Sequence, residues 1–148
     1  MIVGVGNPLR GDDGIGPLLI QRLKGKTEFA LLDCGEVPEN FAQRIIDFSP
    51  DTVILVDAAD WKGSRGQIKR IPEGEIANAS LSTHNASLRL FIDYLRRQTR
   101  AKIIVIGVQA GDRGLMDSMS PEVEEAAEKL ERWIVGSSSP QGEEDPTR

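Results

Sequence analysis

The 148-residue chain carries 18 Lys and Arg against 23 Asp and Glu, a formal net charge of −5, with one histidine and one cysteine. That length fits a single domain able to bury roughly 70% of its unfolded surface without a disulfide or structural metal. The mixed, net-acidic charge excludes the basic face of a nucleic-acid binder, and no stretch approaches the ~18 consecutive apolar residues of a membrane span. The single cysteine, Cys34, forms no internal bridge and fits a reducing compartment. The opening MIVGVGNPLRGDDG puts no cationic stretch before an apolar run and reaches carboxylates at Asp12 and Asp13, so it does not read as a signal peptide. The expectation is a soluble, cytoplasmic protein with no membrane insertion.

In chain order, residues 2–6 read as a strand ending in glycine. Ile15, Leu18, Leu19, Arg22 and Leu23 have helical spacing and predict a helix over 14–24. Residues 29–33 (FALLD) form a second strand. Pro38 opens a helix carrying Phe41, Ile45, Ile46 and Phe48, which Ser49-Pro50 stops. The β-branched run 52–56 (TVILV) suits a central strand buried on both faces. Residues 67–71 alternate, are polar and lie between turn residues, as an edge strand does. A helix follows over 83–98, with Leu88, Leu90, Phe91, Tyr94 and Leu95 on its apolar side. Residues 102–108 (KIIVIGV) form another buried strand. Ser120 as cap and Pro121 at the first turn introduce a last helix to about residue 135. The domain is therefore placed at 1–135, and 136–148, without apolar side chains able to dock, is expected to be a disordered tail. Alternating strands and helices give a three-layer α/β/α architecture with a mostly parallel sheet. Ligands of such sheets bind at the carboxyl ends of the strands.

The chemistry-bearing residues lie just beyond those strand ends. GNPLRGDDGIG, with Asp12 and Asp13, comes after the first strand. VDAAD, with Asp57 and Asp60, comes after the third. His84, the only histidine, stands at the start of the helix over 83–98. Two carboxylates and an imidazole suit a divalent transition metal, and three protein ligands leave positions open for water or substrate. Against this, Asp12 or Asp13 could simply favour a helix N-terminus, Asp57 could serve a turn, and a lone histidine at a helix start is commonly a capping residue. The three together, on one rim, favour a working site. The glycine-rich loop fails the dinucleotide pattern, because Leu9 occupies the third glycine position. Cys34 reads as packing rather than nucleophile, as do Trp61 and Trp133.

With these motifs in order, the chain resembles the hydrogenase maturation endopeptidases, which process nickel-iron hydrogenase large subunits. GVGNPLRGDDGIG looks like the family's N-terminal motif, whose second acidic residue, a metal ligand, falls on Asp13. VDAAD places a second ligand on Asp57, and THN a third on His84. DCGEVPEN resembles the branch serving formate-linked and other energy-converting hydrogenases. Two departures stand out: Gln109 is followed by Ala110 where relatives often have proline, and Cys34 stands where glycine is common. The resemblance implies a five-stranded mixed sheet of order 2-1-3-5-4 with strand 4 antiparallel. It implies an endopeptidase that removes the C-terminal extension of a nickel-loaded large-subunit precursor, with Asp13, Asp57 and His84 as catalytic and metal-binding residues. The metal is expected to be nickel supplied by the substrate, with zinc the alternative, and the enzyme to act as a monomer.

Two other readings compete. A receiver domain shares the acidic loop and the aspartate after strand three, but it needs a lysine at the end of the last strand, where Gly107-Val108-Gln109 stand. A non-catalytic nickel carrier or scaffold would use the same three ligands and cut nothing.

Overall fold

In the computed structural model, described for residues 1–76, 80–81, 85–111, 113–137 and 144–148, the elements run in the expected order. The strands are β1 (Ile2–Gly4), β2 (Leu31–Asp33), β3 (Thr52–Asp60), β4 (Ile68–Ile71), β5 (Ser80–Leu81) and β6 (Lys102–Gln109). The α-helices are α1 (Ile15–Leu23), α2 (Ala42–Phe48), α3 (Asn85–Gln98) and α4 (Pro121–Gly136). The sheet order is β2-β1-β3-β6-β4, with β5 paired beside β3 off that path. Counting β6 as the fifth long strand, this is the expected 2-1-3-5-4. β1, β2, β3 and β6 are mutually parallel, and β4 runs antiparallel to β6 at the edge.

Strand alternation splits the core into two layers. Val3, Val53, Leu55 and Val105 face Ile45 of α2 and Leu88, Phe91, Ile92 and Leu95 of α3. Ile2, Val56, Ala58, Ile106 and Val108 face Ile15, Leu19 and Leu23 of α1 and Val123, Ala126, Ala127, Leu130 and Ile134 of α4. Each fully buried aliphatic side chain stabilises the fold by about 1.5–3 kcal/mol. The buried α3 residues have i, i+3, i+4, i+7 spacing. Leu90 and Tyr94 fall off that stripe and are exposed, against expectation, and Ile92 takes the inward place.

Three further features differ from the sequence-based expectation. β3 continues through VDAAD rather than ending at Val56, because β6 accompanies it to the pair Ala59↔Gln109 and β5 supplies partners to Ala59 and Asp60. A polar, carboxylate-rich segment thus lies inside a central strand. Gly136 belongs to α4, so the helix runs one residue into the segment assigned to the tail. Ser120 is the N-cap residue of α4, but its side chain makes no capping bond, because the hydroxyl donates to Asp12 instead. No helix among the described residues is long and apolar enough to cross a membrane.

Candidate active site

Close approach of α1 to the sheet sets the geometry of the first acidic segment. A Cβ on Gly4 would strike the Gly16 carbonyl, and one on Gly16 would strike the backbone of Val5 and Val56, so glycine at both positions lets the helix start press onto β1 and β3. Between them the chain turns at Gly6 (φ 135°), whose N–H donates to the Gly35 carbonyl (2.9 Å). The turn leads into a short 3-10 segment, Gly11–Gly14, that packs against β3.

That segment carries both Asp12 and Asp13, which are fully buried, at 0% and 1% exposure. Asp12 accepts three hydrogen bonds. Its Oδ2 takes the Gly111 N–H (2.8 Å), and its Oδ1 takes the Ser120 N–H (2.7 Å) and the Ser120 hydroxyl (2.8 Å). Asp12 therefore ties the loop after β6 and the start of α4 to the first acidic segment. Asp13 is bonded differently. Its Oδ2 accepts from the Asn7 N–H (2.9 Å), while its Oδ1 is buried without a hydrogen-bond partner. Burial raises the Asp13 carboxyl above the usual range. The Asn7 bond, Arg113 and Arg10 oppose that rise, and the charge of Glu36 adds to it. The two aspartates thus differ in bonding: Asp12 is spent on the fold, and Asp13 keeps an oxygen free of donors.

Asp57 is 0% exposed. It lies one residue beyond the last β1–β3 pair, Gly4↔Val56, and before the β3–β5 pair Ala59↔Leu81. Its place in the alternation puts it on the face of Leu55 and Ala59, the layer that α3 covers. Asp57 thus lies within β3 just past the end of its pairing with β1, and Asp13 lies on the segment after β1 that packs against β3, the side on which sheets of this class bind ligands. His84 lies outside the described residues. Among the described residues, no three His, Cys, Asp or Glu side chains cluster as a metal site.

Asp60 is separate from this pair. It accepts from Lys62 Nζ (2.7 Å), the Lys62 N–H (2.9 Å) and Gln109 Nε2 (3.0 Å), and these bonds, that from the Lys62 ammonium foremost, hold its carboxyl well below the usual range. Gln109, 4% exposed, is a structural residue that sequence reasoning missed. Its Oε1 accepts from the N–H groups of Trp61 (3.0 Å) and Gly63 (3.1 Å), and its Nε2 also donates to the Ala110 carbonyl (2.9 Å). One amide thus pins the turn after β3 to the end of β6. The signal was a lone polar side chain closing an apolar strand, since a buried amide needs partners. Cys34 is buried in the α3-side core. Its thiol is pushed up to about 12, first by burial and then by Asp33, which removes it as a nucleophile. Trp61 and Trp133 pack against the two cores as expected.

This arrangement provides two buried carboxylates, one with an oxygen lacking any donor. Such an oxygen fits a cation, which would meet it and favour the ionised form.

Comparison with known proteins bears on what such a site does. The family model of hydrogenase maturation proteases matches residues 16–137. The hydrogenase 3 maturation protease of Escherichia coli is 32% identical over 140 residues, covering 90% of this chain and 89% of the relative. The solution structure of the endopeptidase HycI from Escherichia coli superposes with a TM-score of 0.85 at 30% identity, over 96% of this chain and 92% of that one. The crystal structure of the [NiFe] hydrogenase maturation protease HycI from Thermococcus kodakarensis gives 0.81 at 36% identity, over 90% and 88%.

Proposed function

The chain belongs to the hydrogenase maturation protease family, and from that premise we propose that it removes the C-terminal extension of a nickel-loaded nickel-iron hydrogenase large-subunit precursor, using Asp13, Asp57 and His84 as ligands to a divalent metal. The observation that carries the reading is the burial of two carboxylates, Asp13 on the segment that packs against β3 and Asp57 within β3, with Asp13 Oδ1 lacking a donor.

Nickel arrives with the substrate. Two carboxylates and an imidazole without a thiolate form a modest ligand set, suited to a metal that a partner presents. A metal held there supplies polarisation of the scissile carbonyl and activation of water. Asp13 contributes a carboxylate held in place by the Asn7 N–H. Asp57, paired with Gly107 of β6 and just past the end of the β1 pairing, contributes a rigid second group. The surrounding burial shields both from bulk solvent. Placement of the peptide bond against fixed groups can lower a barrier by as much as about 7–11 kcal/mol in favourable cases. Asp12 and Gln109 hold the segments that carry the site and are positioning residues. All three proposed ligands come from one chain, which supports action as a monomer. A lone, buried, unreactive cysteine supports a cytoplasmic place of action.

The test is incubation of the purified protein with nickel-loaded large-subunit precursors, followed by mass spectrometry of their C-termini. A single cut that releases the extension is expected; precursors of unchanged mass overturn the proposal.

A further inference from the structure

Eight large hydrophobic side chains stand exposed among the described residues, and three of them lie on two segments beside the candidate active site: Leu9 (56% exposed), Leu115 (65%) and Met116 (76%). The two segments are laced together. The Met116 N–H donates to the Leu9 carbonyl (2.7 Å), the Gly11 N–H donates to the Asp117 carbonyl (3.1 Å), and Ser120 fastens the second segment to Asp12. Met116 holds a left-handed backbone (φ 66°), a conformation costly for a non-glycine residue and common where function constrains the chain. Exposed leucines scattered singly need no explanation, whereas an apolar rim next to a reactive site marks an interaction surface.

Two guanidinium groups are set into the same rim. Arg10 follows Leu9, and Arg113 lies two residues before Leu115. Both side chains are half-buried, and neither joins an ion pair among the described residues. Arg10 Nε and Arg113 Nη2 are buried without a hydrogen-bond acceptor. Both charges act on Asp13, so both lie beside the proposed reaction centre. Although Asp13, Glu36 and Asp117 lie close by, these two guanidinium groups keep unspent donors, the complement of a carboxylate.

Building on the proposed proteolytic function, we infer that segments 7–10 and 113–117 form the surface that seats the precursor beside Asp13, with an apolar side chain of the precursor against Leu9, Leu115 and Met116 and a neighbouring carboxylate against Arg10 and Arg113. The unbranched, polarizable Met116 can adapt to apolar groups of different shape. The two arginines demand an anion, which gives the surface its selectivity. The carboxylate comes from an acidic side chain of the extension or from its chain terminus, and the two sources are separable.

The experiment measures steady-state cleavage of nickel-loaded precursor by folded variants, with thermal unfolding as the control for folding. The double change Leu115→Ser with Met116→Ser raises KM about tenfold and leaves kcat within about twofold, since it removes contact area away from the reacting bond. Arg113→Gln raises KM about tenfold on the native precursor. That loss disappears on one of two altered precursors, one with the acidic side chains of the extension changed to amides, the other with its C-terminus amidated; the one on which it disappears identifies the source. Unchanged KM in all variants, or an Arg113→Gln loss that persists on both altered precursors, overturns the inference. If wild-type protein binds precursor but does not cut it, the proteolytic reading fails by itself. Calorimetric affinities of the same variants then decide on the surface, and affinities equal to wild type, or no binding by any form, overturn it.

Discussion

Asp12 and Asp13 are adjacent in sequence, equally buried and chemically identical, yet the fold uses them in opposite ways. Asp12 receives three hydrogen bonds, from Gly111 and Ser120. Asp13 receives one and keeps a buried oxygen without a donor. One strand away, a second pair of aspartates differs in burial. Asp60 is bonded to Lys62 and Gln109 near the surface, while Asp57 is sealed inside β3. In the first acidic segment Asp12 holds the backbone in place, and Asp13 beside it is the one proposed for chemistry. Exchanging the roles should therefore fail in both directions, and each failure has its own signature.

The largest effect is expected on chemistry. Asp13→Asn should reduce processing of nickel-loaded precursor by about 100- to 1,000-fold, the scale on which a preorganised electrostatic group acts. Asp57→Asn and His84→Ala should do the same, with circular dichroism unchanged. Full processing by any of the three would remove that residue from the site. The substrate's metal should matter as much. Matched precursor without nickel should stay intact when the enzyme has been stripped by chelator. Equal cleavage of both forms would refute the nickel requirement, and activity restored only by adding zinc to the enzyme would identify a resident zinc.

Asp12→Ala should act on stability. It strands the Gly111 N–H, the Ser120 N–H and the Ser120 hydroxyl, and the loss is expected at about 3–5 kcal/mol by urea denaturation. A loss below about 1 kcal/mol would show that water replaces the carboxylate. Gln109→Ala should cost less, about 1–3 kcal/mol, because the donors it leaves, at Trp61 and Gly63, sit nearer to solvent. An unchanged unfolding midpoint would show that the turn after β3 holds itself.

Sequence periodicity revealed the layers and the strand directions because buried parallel strands and amphipathic helices leave regular apolar patterns. TVILV and KIIVIGV became β3 and β6, and the alternating stretch 67–71 supplied the edge strand over 68–71. Strand order came from resemblance, since periodicity carries no information about which strands are neighbours. Two things were invisible to local pattern. One was the extension of β3 through VDAAD, which depends on partners in β6 and β5 that are far away in sequence. The other was the division of labour between Asp12 and Asp13. It depends on where Gly111 and Ser120 arrive, about a hundred residues later. Ser120 shows the same limit: Ser-Pro marked the start of α4 correctly, but the hydroxyl was claimed by a long-range carboxylate.

The smallest effect is the most discriminating, because its sign is opposite to that at Asp12. Burial raises the Asp13 carboxyl above its unfolded value of about 3.9. A group raised on folding contributes stability that is fully present below the unfolded pKa and is lost as pH rises through the folded one. In its ionised form, metal-free Asp13 is a buried charge with one hydrogen bond, an arrangement that costs free energy. Asn at this position keeps an acceptor for the Asn7 N–H and removes the charge. Metal-free Asp13→Asn should thus unfold at a temperature about 2–8 °C higher than wild type at pH 7, corresponding to about 1–2 kcal/mol. The gap should close as pH falls below about 4, where the wild-type carboxyl is itself neutral. Melting curves of chelator-treated proteins across pH 3–8 provide the measurement. A gap that is negative, or that stays constant over this range, would show that Asp13 is satisfied as an ion in the resting fold and needs no cation to complete it.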